Sequence, residues 1–250
     1  MINYVKSEHY RLLRKKGLYF TSLACFLLIA AAAFLLYYFG ETEPNFPYST
    51  SKFFYSNVIS GGAFIIIVGF IFNFALTGKD MSLIKQSVSF GISRNVIFWS
   101  KLILTFSYFL LTCVVGIVFM IVLGENLLNS DHQSVSNYLI ACANMAPLVL
   151  SGFFLTHTLK MMKVGDVYVI ILLLFIYGFS SNLLRLLFRP FTGLSELYKY
   201  APSTMLNDNL MNFIENDIVQ FDYKFLVAGI VISLLALLLG ANRFSNQNID

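Results

Sequence analysis

Six apolar runs, each near the ~20 residues that a membrane-crossing helix requires, constrain this chain more than any other feature. They cover about Leu18–Gly40, Asn57–Thr77, Leu102–Gly124, Tyr138–Leu159, Val167–Phe188 and Lys224–Ala241. Hydrophobic residues make up 58% of the 250 and charged residues only 12%, with a mean hydropathy of +0.73. That balance lies outside the soluble globular range and inside the polytopic membrane class. The fold expected is all-α, with six transmembrane helices.

The charges orient it. With the N-terminus inside, the inner connections hold twelve of the 17 Lys and Arg, among them Arg11, Lys15, Lys79, Lys85, Arg94, Lys101, Lys160 and Arg243, and the outer ones hold Lys52, Arg185, Arg189, Lys199 and Lys224. Nine of the 13 acids fall outside. The asymmetry predicts that both termini are cytoplasmic. The net charge of +4 is scattered over the ends of apolar runs and forms no patch of the kind that binds nucleic acid. Cys25, Cys113 and Cys142 sit inside apolar runs without metal-ligand spacing, which predicts free, buried thiols. The first span follows about seventeen polar or mixed residues and is too long for a signal-peptide core, so it is expected to remain in the mature chain.

Between the second and third runs lies the most polar stretch, Gly78 to Lys101, with Lys79, Lys85, Arg94 and Lys101 against the single acid Asp80. Asp80 can N-cap a short helix running to about Phe90, Gly91 can end it in a left-handed conformation, and Ser93 can cap the next helix. Two helices meeting at a glycine elbow are expected there. Ahead of the first span, Ile2, Val5, His9, Leu12 and Leu13 recur at helical spacing, while Lys6, Glu8, Arg11, Arg14 and Lys15 fill the other face. This predicts an interfacial amphipathic helix over residues 1–17, suited to anionic lipid or to a cytoplasmic partner; a plain basic stop before the span is the alternative. The 35 residues from Arg189 to Tyr223 are too many for a structureless loop. A Ser203 cap followed by Leu206, Leu210, Phe213 and Ile214 predicts a short outer helix before span six.

Catalytic patterns are missing. Gly78-Lys79 lacks the flanking residues of a phosphate-cradling loop, and neither His-Glu-x-x-His nor Gly-x-Ser-x-Gly occurs. The spans hold no Asp or Glu deep in the hydrocarbon, which disfavours a transporter driven by its own coupling ion. Asn73, Asn144 and Ser151 are polar groups in spans two and four, available as interhelical glue or as a path lining. Energy for transport would have to enter from another chain, and the basic elbow is where it would enter.

Taken together, six spans with both ends inside, the amphipathic N-terminal helix, the inner loop Lys85-Gln-Ser-Val-Ser-Phe-Gly-Ile-Ser-Arg-Asn-Val-Ile-Phe-Trp-Ser-Lys101, and Tyr200-Ala-Pro-Ser-Thr-Met-Leu206 before span six resemble the ABC-2 type permeases. The resemblance covers nearly the whole chain. It points to the small permeases that accompany lantibiotic immunity and export of phenol-soluble modulins and similar amphipathic peptides in Gram-positive bacteria. The resemblance implies a cytoplasmic coupling helix over Asp80–Phe90, docked in a groove of a separate ATPase. Its contact residues would be Asp80, Leu83, Lys85 and Gly91, with Arg94 and Lys101 as the family's basic positions. It implies a connecting helix over Val5–Lys15, including Arg11 and Leu12, and re-entrant outer helices over Pro202–Phe213. The implied partners are two ABC ATPase subunits, a second permease copy or a sister permease, membrane lipid and a peptide cargo. No cofactor is expected on this chain, since ATP would sit on the partner. Export of lipid, polysaccharide or drugs stays open, as does a membrane scaffold or sensor that transports nothing.

Overall fold

A computed structural model describes the chain except residues 1, 44, 79–80, 132, 190–195 and 247–250; the side chains of residues 2, 81 and 82 are also outside the description. The fold is 85% helical, with no strand among the described residues. The helices are α1 (Ile2–Leu13), α2 (Lys16–Thr42), α3 (Ser51–Ser60), α4 (Gly62–Thr77), α5 (Met81–Ser89), α6 (Arg94–Leu127), α7 (Ser134–Met161), α8 (Asp166–Leu174), α9 (Ser180–Phe188), α10 (Pro202–Glu215) and α11 (Tyr223–Asn246). A π turn, Phe175–Phe179, joins α8 to α9, and a 3-10 turn, Leu197–Tyr200, precedes α10.

Five of these segments (α2, α6, α7, α8–α9 and α11) are long and apolar enough to cross a membrane, and α3 with α4 makes a sixth if the pair, bent by 57°, counts as one. This is a multi-pass membrane protein. The bend falls at Ser60-Gly61-Gly62, a weak point for a helix, where Leu206 of α10 packs against Gly62. The second predicted span therefore begins earlier than its apolar run. Ser51-Lys-Phe-Phe-Tyr-Ser reads as loop because it is mixed in polarity, yet Thr50 caps it through the Phe53 amide and Phe54, Tyr55 and Ile59 are buried. Tyr55 stacks on Tyr138 at 4.5 Å and donates to Glu125 at 2.9 Å.

α7 is the central helix. Of its apolar window 56% is buried, against 11–22% for the other single spans. Apolar residues on those outer helices face the hydrocarbon, where burial in protein gains little. α11 lies directly against α7. A Cβ at Gly229 would come within 2.5 Å of the Pro147 backbone, and Thr158 Oγ1 donates to the Ala236 carbonyl at 2.9 Å.

Three cysteines from three helices (Cys25, Cys113 and Cys142) line one apolar cleft of about 290 Å³ between α2, α4, α6 and α7. All three are free. Only Cys142 is fully buried, and the other two are half-buried, so the expectation of buried thiols holds for one of them.

At the face where α7 begins, two asparagines one heptad apart hold the segment 216–222. Asn137 donates to the Asp217 carbonyl (2.7 Å) and accepts from the Val219 amide (3.0 Å). Asn144 donates to the Gln220 carbonyl (3.0 Å) and accepts from the Asp222 amide (3.0 Å). Each carboxamide serves as one unit of a backbone ladder. α10 forms where a short helix is expected, but its start differs. Pro202 occupies the first turn and no side chain caps it. Ser203 Oγ instead accepts from the Ser181 amide at 2.8 Å and pairs with Ser180 Oγ at 2.9 Å, tying α10 to α9. Its buried face is Met205, Leu206, Asn209 and Phe213, and Ile214 is exposed.

Candidate functional site

α5 is a helix of 9 residues bridging the ends of α4 and α6. Ile84 faces inward and is buried, with Val88 one turn later packed on the same core. Leu83, Lys85 and Phe90 are exposed on the other side.

The exit from α5 is closed by two backbone bonds, Gly91 N–H to the Val88 carbonyl at 2.9 Å and Ile92 N–H to the Ser87 carbonyl at 3.1 Å. Together they form a Schellman motif, which needs a left-handed residue. Gly91 supplies it at φ 82°. Ser93 then caps α6 by accepting from the Val96 amide at 3.4 Å. The elbow is built as its residues predict, apart from the cap at Asp80, which lies outside the described residues.

α1 is the surprise. Its helix forms where expected but stops at Leu13, before α2 begins at Lys16, and the face that packs inward contains Tyr4, Val5, Glu8 and Leu12, turned from the purely apolar stripe; Leu12 is fully buried, while His9 and Leu13 are exposed. An acid has taken the inward position because a base waits for it. Glu8 Oε2 accepts from Lys101 Nζ at 3.0 Å, Glu8 Oε1 accepts from Arg11, and Lys101 also donates to the Leu76 carbonyl at 2.7 Å. The Leu76 carbonyl belongs to the last turn of α4, where a cation is favoured by the helix dipole. One ammonium thus joins α1, α4 and α6. The Tyr4 hydroxyl, buried beside Glu8 and facing Ser87 of α5, is held above its ordinary pKa first by burial and then by the Glu8 charge.

This corrects the role expected for Lys101. It is completely buried, so its charge is spent within the chain and is not offered at the surface. Arg94 is half-buried and donates to the Ser245 carbonyl at 2.8 Å, fastening the start of α6 to the end of α11. Leu83 and Lys85 remain on the outward side. Val5, Arg11 and Leu12 belong to a helix docked on α6 and α4, where sequence reading placed an interfacial one.

A polar knot lies one layer deeper. His157 of α7 sits between Asn73 of α4 and the Phe98 carbonyl of α6, with ring nitrogens 3.2 Å from the Asn73 carboxamide and 3.2 Å from that carbonyl. A carbonyl only accepts, so the neutral ring donates from Nε2 and its Nδ1 accepts, which requires Asn73 to turn its –NH₂ toward the ring. Ser151 pairs with Tyr177 of the π turn at 2.7 Å, and Asn144 holds segment 216–222. Asn73, Asn144 and Ser151 thus each bond to a residue of another element. Sequence reading missed Glu8 and Asn137. The Glu8 to Lys101 separation gives no local signal, whereas the seven-residue Asn137–Asn144 spacing was available to be read.

Among the described residues, no group of three or more His, Cys, Asp or Glu side chains is arranged to hold a metal ion. Fold and site together define a multi-pass all-α membrane protein with a short helix connecting the ends of two of its apolar segments. No family model, curated protein or solved structure matches the chain.

Proposed function

We propose that the chain is the permease subunit of an ATP-driven exporter of the ABC-2 type, moving amphipathic or membrane-embedded compounds, with peptides as the cargo class. The observation that carries this reading is the elbow. A short helix with Leu83 and Lys85 exposed, and Phe90 exposed just past its end, is anchored by Ile84 and turned by Gly91 into α6, while the Glu8–Lys101 pair ties α1 and α4 to the start of α6. A push on such a helix is passed through its two connections to α4 and α6. On this reading two ATPase subunits supply ATP hydrolysis, a second permease copy or a sister permease completes the pathway, and α5 lies in the cytoplasm with both termini.

Orientation is tested by labelling. Cysteines introduced at Ser87 and Lys163 should be shielded in intact cells from an impermeant thiol reagent, and one at Asn129 should react. The native cysteines, which line an apolar cleft, should stay unmodified. Labelling at Ser87 would reverse the topology.

Coupling is tested at the elbow itself. Leu83→Asp places a charge where an apolar contact is proposed and should weaken ATPase association by about 2 kcal/mol or more, some thirtyfold. Gly91→Val meets no atom within 4 Å, so its cost is conformational, about 1–2 kcal/mol at positive φ. Both variants should reach the membrane at normal abundance and lose export. Unchanged export in both would reduce α5 to a connector.

A further inference from the structure

At the membrane face opposite α5, the end of α9, the 3-10 turn, α10 and the start of α11 enclose a concavity of about 470 Å³, a volume typical of small-molecule sites. Charges of both signs line it. Lys199 and Lys224 are paired, with Glu196 at 3.1 Å and Asp222 at 3.6 Å. Arg185 is not. Its guanidinium stacks on the Tyr198 ring, 4.1 Å from the centroid, and makes no hydrogen bond or ion pair among the described residues. Stacking occupies the face of the guanidinium and leaves its N–H edge available to an oxyanion. Asp208 on α10 likewise has no hydrogen bond or ion pair among the described residues. Partial burial raises its pKa, and Lys224 and Arg185 oppose that from a distance.

A cation and an anion that share one concavity without bridging each other are complementary to a ligand that carries both signs at separate atoms. Depth identifies the ligand. Arg185 lies three residues before the end of α9 and Lys224 is the second residue of α11, so the concavity is level with the ends of two apolar segments. That is the headgroup layer of a bilayer. We propose that this concavity binds the headgroup of a zwitterionic aminophospholipid, with the phosphate on the Arg185 edge and the ammonium on Asp208. The site depends only on placement in a membrane. It stands or falls independently of ATP-driven transport.

The test titrates the whole detergent-purified chain with dihexanoyl phosphatidylethanolamine below its micelle concentration, read by calorimetry. Dihexanoyl phosphatidylglycerol, inorganic phosphate and a synthetic amphipathic peptide serve as comparators. Saturable binding of the phosphatidylethanolamine is expected, at least fivefold tighter than the phosphatidylglycerol. Arg185→Gln should weaken both lipids tenfold or more, while Asp208→Asn should weaken only the amine-bearing lipid and abolish the preference. Both side chains are exposed and make no hydrogen bond or ion pair among the described residues, so the variants should unfold at the wild-type temperature. If either fails to fold, the wild-type preference between the two lipids decides alone. No saturable binding, equal affinity for the two lipids, phosphate binding as tight as the phosphatidylethanolamine, or displacement of the lipid by the peptide at lower concentration would each overturn the assignment.

Discussion

Lys101→Met is expected to destabilise the chain by about 3–5 kcal/mol, because it takes the buried ammonium from the Glu8 carboxylate, which keeps the partly exposed Arg11, and removes a donor from the Leu76 carbonyl. The loss should appear as a lower unfolding temperature in detergent and as rapid proteolysis of α1, since Glu8 is the polar anchor of that helix on α6. High salt should not mimic it, because a buried pair is poorly screened. Combining Glu8→Gln with Lys101→Met removes both charges, and the double variant should recover about 0.5–3 kcal/mol relative to the sum of the single losses. Full recovery is not expected, since the Leu76 carbonyl still lacks its donor and Arg11 meets a neutral amide oxygen in place of a carboxylate. A neutral Lys101→Met would mean that α1 is held by Leu12 and its apolar neighbours alone.

Gly229→Val should force α11 away from α7. The added Cβ would meet the carbonyl carbon, the oxygen and Cβ of Pro147, all at 2.5 Å. Backbone cannot swing away as a flexible side chain can, and Pro147 is itself fixed inside α7, so relief requires α11 to move off α7. A loss of about 1–3 kcal/mol or more is expected, together with lower abundance in the membrane. Gly116→Ala makes the control. Its nearest neighbour would be Phe26 Cε1 at 3.9 Å, an ordinary contact, so that variant should be neutral or slightly more stable, as alanine is the better helix former. Equal behaviour of the two variants would show that the α7–α11 contact is looser than described.

The spans were legible because each is a run of apolar residues, and hydrocarbon thickness sets their length. The glycine elbow was legible for a different reason. Gly91 and Ser93 carry local chemistry, a left-handed φ and an N-cap, which depends on nothing distant. α3 was not, because its Lys52, Ser51 and Ser56 obscure a helix whose Phe54 and Tyr55 are buried by α7 and α10, partners far along the chain. α1 shows the sharper limit. Its helical period was correct, yet its rotation about the axis was decided by Lys101, some ninety residues away, which draws Glu8 inward. The same pair explains why Lys101 was misread. A base at the inner end of a span ordinarily marks topology, and only the folded chain reveals that this one is capped, paired and sealed from solvent.

The most direct test of the proposed permease role is ATP turnover by the complex. The tagged chain should be isolated in mild detergent from the membranes of cells that produce it, as wild type and as Leu83→Asp, and each preparation assayed for ATP hydrolysis with and without an amphipathic peptide. The proposal predicts a stoichiometric ATPase subunit and peptide-stimulated hydrolysis in the wild-type preparation, and the same yield of Leu83→Asp chain with neither. A wild-type chain that carries no ATPase, or an ATPase retained at full activity by Leu83→Asp, would contradict it.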